Sequence, residues 1–215
     1  MSIDLNINTS SLLTTVRGNR HQRSSPLPVP TRKARLPMRI FWRLRQFVRG
    51  VAAHVEAAEM LVVARALPKA ALCRFCSIPL DGQRHSLNVF YSLQSAGWHD
   101  PDLAAAALLH DAGKVAGDAA GIFLNPWLRG PLVLLSVLSP RKMDQLAVDN
   151  PAAGWRYLLY IHREHPAIGA AWAKEDGCSE LTCWLIANHQ ATISGRPTNR
   201  QEELLALLQW ADSRN

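Results

Sequence analysis

The sequence predicts an all-α fold, and three observations carry that expectation. From "MRIFWRLRQFVRG" onward, apolar residues recur at helical spacing, and no stretch alternates apolar and polar residues as a half-buried strand would. Alanine-rich runs such as "DLAAAALLHDAG" fill the middle of the chain with strong helix formers. Proline, serine, aspartate or asparagine stands where helices should begin, and glycine where they should end. This punctuation divides the chain into roughly seven to nine helices, with no internal repeat.

Taken in order, residues 1–36 lack apolar periodicity, and "SSPLPVPTRKAR" reads as a proline-rich basic linker, so a disordered basic N-terminal arm is expected there. Residues 37–67 are expected to form an N-terminal helical segment, and residues 68–215 the main domain. The start of that segment mixes Phe41, Trp42, Leu44, Phe47 and Val48 with Arg39, Arg43, Arg45 and Arg49. Such a helix packs on the domain, lies on an anionic membrane surface or contacts nucleic acid. Asp100-Pro101-Asp102 supplies an N-cap, a first-turn proline and an acid near the positive end of the macrodipole, opening the helix that ends in "LLHDAG". Ser139-Pro140 opens another helix, Ser179-Glu180 opens "LTCWLIANHQ", and Asn199 with Glu202 reads as a capping box for "RQEELLALLQWAD". Between these, "FLNPWLRGPLVLLSVLSPRK", Phe123 to Lys142, is interrupted by Pro126, Arg129 and Pro131. It reads as core helices, with a lid over a site or a dimer surface as the other options.

Composition narrows the class. At 215 residues with 48% hydrophobic content, the chain has enough material for one packed domain and a tail. No run of apolar residues is long enough to span a bilayer, and "MSIDLNINTSSLLTTVRGNR" lacks the basic start and apolar core of a secretory signal. Four cysteines do not make a disulfide framework, which points to a reducing, cytoplasmic setting, either free or held at a membrane surface by the arm. Cys73 and Cys76 have zinc-ligand spacing that Cys178 and Cys183 would have to complete from far away; core or shielded thiols are the simpler expectation. The net charge of +7 is uneven, because residues 1–50 hold ten basic side chains against one acid, Asp4, leaving 14 basic and 16 acidic groups for residues 51–215. The basic character belongs to the arm and not to the domain.

Polar residues on apolar stripes mark the candidate site. His85 stands four residues before Val89 and eight before Leu93, so it shares their face. His189 follows Leu185 by four and Leu181 by eight, and Asp212 follows Leu208 by four and Leu205 by seven. His165 opens "HPAIGAAWA" and faces inward with Ile168, Gly169 and Trp172. His110 and Asp111 close an apolar run. By contrast, His21, His54 and His99 are expected to be solvated. Burying imidazoles and carboxylates is unfavourable unless each finds a strong partner, and a first-row divalent metal is such a partner for this donor set.

The order His85 … His110-Asp111 … His165 … His189 … Asp212 resembles the HD-domain superfamily of metal-dependent phosphohydrolases, whose hallmark is H…HD…D on a helical bundle. "RHSLNV", "ALLHDAGK", "HPAIGA", "LIANHQ" and "LLQWADSRN" are the local matches, over about residues 68–215. The resemblance implies an HD-type helical bundle and one or two divalent ions (Mn, Fe, Mg, Zn or Co). His85, His110, Asp111 and Asp212 would hold the first ion. Asp111 would bridge to a second at His165 and His189. Asp111 would thus be catalytic through the ions, with Lys114, which would hold substrate phosphate; Arg84, beside His85, is a second phosphate candidate. The implied substrate is a small phosphomonoester, nucleotide or phosphodiester; the "GYP" element of cyclic-di-GMP enzymes is missing, which favours the first two. Many two-metal members carry a histidine pair at the fourth element, whereas Gln190 follows His189 here. That departure also fits relatives of the inositol-oxygenase type, which hold two irons with the same six ligands. A non-catalytic HD module would be the third option, and it predicts eroded ligands.

Overall fold

An alanine-rich helix at the centre sets the architecture. The computed structural model describes residues 54–122, 145–193 and 195–215. Within them the regular elements are helical and no strand occurs. In chain order these are α1 (Ala57–Ala66), α2 (Lys69–Ser77), α3 (Leu80–Ser95) and α4 (Pro101–Leu109). A 3₁₀ turn at Ala112–Val115 runs into a single helical turn at Ala116–Ala119. After a further 3₁₀ turn at Pro151–Ala153 come α5 (Trp155–Glu175), α6 (Glu180–Asn188) and α7 (Arg200–Asp212). The arm, the first part of the N-terminal helical segment, the Phe123–Lys142 stretch and the Ser139-Pro140 helix start lie outside the described residues. Among the described residues, no helix is long and apolar enough to cross a membrane.

Every residue of α4 from Ala105 to Leu109 is buried, as is Leu103, because a helix that is apolar on all sides has to sit inside. Its small side chains let α1, α2, α3, α6 and α7 all approach it. Leu87, Leu93, Leu185, Leu207 and Leu208 complete the core around it. Removing one such side chain, as in Leu108→Ala, would cost about 2–5 kcal/mol. Val63 of α1 is fully buried in the same core and Leu67 nearly so, which joins this helix to the domain that the sequence opened at residue 68.

The caps read from the sequence at Asp100, Ser179 and Asn199 form, and they do more than start helices. Asp100 accepts from the backbone N–H groups of Asp102 and Leu103, and its carboxylate also pairs with Arg200 at the start of α7. Asp102 accepts from the hydroxyls of Ser179 and Thr182 at the start of α6. The beginnings of α4, α6 and α7 are therefore tied together, so their far ends emerge on a common side. At α7 the capping box is displaced: Asn199 accepts from the N–H of Glu202, but the Glu202 carboxylate accepts from Thr198, one residue before the cap.

Two further features depart from the sequence reading. His165 does not open a helix, since α5 runs through His165 and Pro166 without a break. Cys73 and Cys76 are exposed and not shielded, while Cys183 is buried. The long α5 is anchored at its end by Arg74 of α2, which donates to the Asp176 carboxylate at 2.9 and 3.1 Å and lies over the Trp172 ring.

The turn after α4 seats directly on α5. A Cβ on Gly113 would lie 2.1 Å from the His165 carbonyl oxygen and 2.8 Å from the Gly169 nitrogen, both backbone atoms that cannot swing aside. A Cβ on Gly169 would meet the Gly113 nitrogen and the Ile186 side chain at 3.3 Å, a tight but negotiable contact. Gly113→Ala should therefore destabilise the protein by about 1–3 kcal/mol in urea unfolding, and Gly169→Ala by clearly less. Equal losses, or none at Gly113, would contradict this packing.

Candidate metal centre

Four imidazoles and two carboxylates meet on the side where α4, α6 and α7 end. His110 and His189 are the C-cap residues of α4 and α6, Asp111 follows His110, and Asp212 is the last residue of α7. His85 projects from α3 and His165 from α5. Helix C-termini carry partial negative charge, so the convergence of three of them favours a cation even before the side chains are counted. The four rings form a row, with successive centroids His85–His110, His110–His189 and His189–His165 at 5.3, 5.2 and 5.1 Å.

The ligand atoms fall into two trios, His85–His110–Asp212 and Asp111–His165–His189, and within each trio they all lie within 4.8 Å of one another. In the first, Asp212 Oδ1 is 3.0 Å from His85 Nε2 and 3.6 Å from His110 Nε2. In the second, Asp111 Oδ1 is 3.3 Å from His165 Nε2 and 3.8 Å from His189 Nε2. The other oxygen of Asp111, Oδ2, lies 3.7 Å from His110 Nε2 and 3.9 Å from His85 Nε2. One carboxylate thus faces both trios, one oxygen to each. All six ligand candidates named from the sequence come together.

Three of the four rings are held in the same way. Nδ1 of His110, His165 and His189 lies 3.0, 2.7 and 2.7 Å from the backbone carbonyl of Ala107, His162 and Ile186, in each case three residues earlier. A ring nitrogen facing a carbonyl must carry the hydrogen, which leaves Nε2 of the neutral ring as a bare lone pair. His165 Nε2 and His189 Nε2 then face each other at 3.3 Å, an arrangement that repels unless a cation or a proton lies between them. His110 Nε2 is buried without a hydrogen-bond partner, and so is His85 Nδ1. Buried polar atoms left this way are rare and call for an explanation such as a bound ion.

Electrostatics favours the ligating forms of Asp111, Asp212 and His189. Burial would raise the Asp111 carboxyl, but the Lys114 ammonium, with His110 and His165, holds it well below the usual carboxylate range. Burial would raise the Asp212 carboxyl too, but the neighbouring His110 and His85 rings lower it overall. Burial, helped by the neighbouring His110, pushes His189 down to about 4, so its ring is neutral near pH 7. At His110, burial acts downward but the carboxylates of Asp111 and Asp212 raise it overall. Neutral imidazole and ionised carboxylate are what a divalent ion requires, and the donor set fits one.

Lys114 donates to Asp111 Oδ2, with its side chain 45% exposed. Arg84 is engaged elsewhere. Its guanidinium donates to the Glu59 carboxylate and to the His54 carbonyl, fastening the start of α1 to α3. Two contributors went unread in the sequence. His162 lends its carbonyl to His165, and Gln209 donates to the carbonyls of His189 and Ala191, fixing the end of α6 against α7. Their positions three residues before His165 and Asp212 were the available signal. Gln190 places its amide 3.3 Å from His165 Nε2. No cysteine joins a metal-ligating cluster among the described residues.

No family model matches the chain, and neither the curated proteins nor the solved structures give a significant match. What the cluster can do follows from its own geometry. Calorimetric titration of the metal-free protein with Mn²⁺ should give about two ions per chain. Asp111→Ala should lose both, since its carboxylate serves both trios. His165→Ala should empty mainly the second position, because His85, His110 and Asp212 remain. An Asp111→Ala protein that still takes up two ions would show the trios to be independent.

Proposed function

We propose that the chain is a metal-dependent phosphohydrolase of the HD type, acting on a small phosphomonoester or nucleotide at a two-ion centre. The observation that supports it best is the single carboxylate of Asp111, whose two oxygens face separate trios of ligands. When bound, a pair of divalent ions supplies charge for the phosphoryl oxygens and acidifies a water for attack on phosphorus.

The side chains do the rest. Asp111 and Asp212 stay ionised and offset the charge of the ions. His110, His165 and His189 present bare Nε2 atoms because backbone carbonyls occupy Nδ1. Lys114 sits at the edge, tethered to Asp111 and otherwise in solvent, so its ammonium can turn to a phosphate oxygen without unfolding anything. A compact cation on a flexible stem suits that role. Burial of the rings themselves limits water to the open side: His110 and His165 are 1% and 0% exposed.

The amide of Gln190 beside His165 Nε2 favours a second reading. With six ligands and no seventh histidine, the set equally suits a di-iron oxygenase of the inositol-oxygenase type. Oxygen dependence separates the two.

Protein loaded with Mn²⁺ should release phosphate from a panel of phosphomonoesters and nucleotides in the absence of oxygen. Lys114→Met should raise KM about 10- to 100-fold with little change in the number of ions bound, the equivalent of losing a charged hydrogen bond of about 1.5–3 kcal/mol. Protein that binds iron alone, consumes oxygen with substrate and hydrolyses no phosphoester would refute the hydrolase.

A further inference from the structure

An α-helix joins each carbonyl to the N–H four residues further on. Pro166 has no N–H, so inside α5 the carbonyl of His162 loses its helical donor. His165 lies between the two, and its Nδ1 is 2.7 Å from that same carbonyl oxygen. At His110 and His189 the equivalent carbonyls, Ala107 and Ile186, become available in another way. There α4 and α6 stop, at Leu109 and Asn188, and the last carbonyls of a helix lose their donors four residues on; the Ile186 carbonyl keeps a long bond, 3.5 Å, from the His189 N–H. The long α5 does not stop; it continues to Glu175. A ligand placed in mid-helix would ordinarily find its neighbouring carbonyls already bonded.

We propose that Pro166 is a positioning residue: by withholding one backbone N–H, it reserves the His162 carbonyl for Nδ1–H of His165 and so aims Nε2 at Asp111 and His189. The inference rests on the metal-centre reading for its functional consequence, but the hydrogen bond itself is independent of any ion. It also accounts for a costly choice. Proline is the least favourable residue in a helix interior, and a buried alanine would serve α5 better if the ring had only to fill space.

Two variants separate the missing donor from the ring. Pro166→Ala restores the N–H and favours the helix, so folding is not at risk, and circular dichroism checks it. Replacing Pro166 by lactic acid through an ester linkage removes the ring but supplies no N–H. The first readout is the His165 tautomer in metal-free protein labelled with ¹⁵N-histidine, seen in long-range ¹H–¹⁵N spectra. The wild-type ring should carry its hydrogen on Nδ1 alone. Pro166→Ala should show a mixture with the Nε2–H form, and the ester variant should match wild type. The second readout is Mn²⁺ titration. Pro166→Ala should weaken the second ion about tenfold, as loss of a supporting hydrogen bond to a ligand does, and leave the first unchanged.

An unchanged tautomer together with unchanged second-ion affinity in Pro166→Ala would overturn the proposal. So would an ester variant that behaves like the alanine variant, since the ring would then be what matters. If wild-type protein binds no ion while the tautomers shift as stated, the metal-centre reading falls and the positioning role stands.

Discussion

A surplus of acceptors over donors is the constraint on which this structure depends. Four imidazoles and two carboxylates point at one another, and three of the imidazoles have already spent their hydrogen on a backbone carbonyl. What remains at the centre is a set of lone pairs and negative charge, with Lys114 as the one cation bonded to it among the described residues. In a low-dielectric interior, unpaired polar groups of one kind cost several kcal/mol each (roughly 2–7 by transfer measurements). A bound cation would repay that cost, and the donor atoms form two trios that one could enter.

The rest of the fold can be understood as the means of holding that cluster. Asp100 and Asp102 fasten the starts of α4, α6 and α7 to one another, so the ends of these helices arrive together with His110, His189 and Asp212. The alanines of α4 make the approach possible, because larger side chains would hold its neighbours away. On the other side, the Gly113–Gly169 contact presses the turn after Asp111 against the helix that carries His165. Neither trio is built by one element; each draws on several, and the close backbone contact couples them.

Much of this was legible in the sequence, for a physical reason. His85, His189 and Asp212 stand at helical spacing from apolar residues and so face the core, and their three helices converge with those that carry His110-Asp111 and His165. Fold class followed from the same periodicity and from caps at Asp100, Ser179 and Asn199. What could not be read depended on tertiary competition. Arg84 lies next to His85 in sequence, yet a helix turns about 100° per residue, and Glu59 on α1 claims its guanidinium. Glu202 had two backbone donors within reach and took Thr198. Proline at 166 suggested a helix start, because in isolation it breaks helices; the imidazole of His165 supplies a hydrogen to the carbonyl for which Pro166 has none, which makes the interior position tolerable. Nor does one sequence distinguish an exposed cysteine such as Cys73 from a buried one when both lie on amphipathic helices.

The central claim is that Asp111 divides one cluster into two ion positions. Anomalous diffraction from crystals of the protein loaded with Mn²⁺, recorded on both sides of the manganese edge, tests it most directly. The account predicts two peaks about 4 Å apart, one against His85, His110 and Asp212, the other against His165 and His189, with the Asp111 carboxylate between them. No peak at this cluster, or a peak that leaves Asp111 unbound, would contradict it.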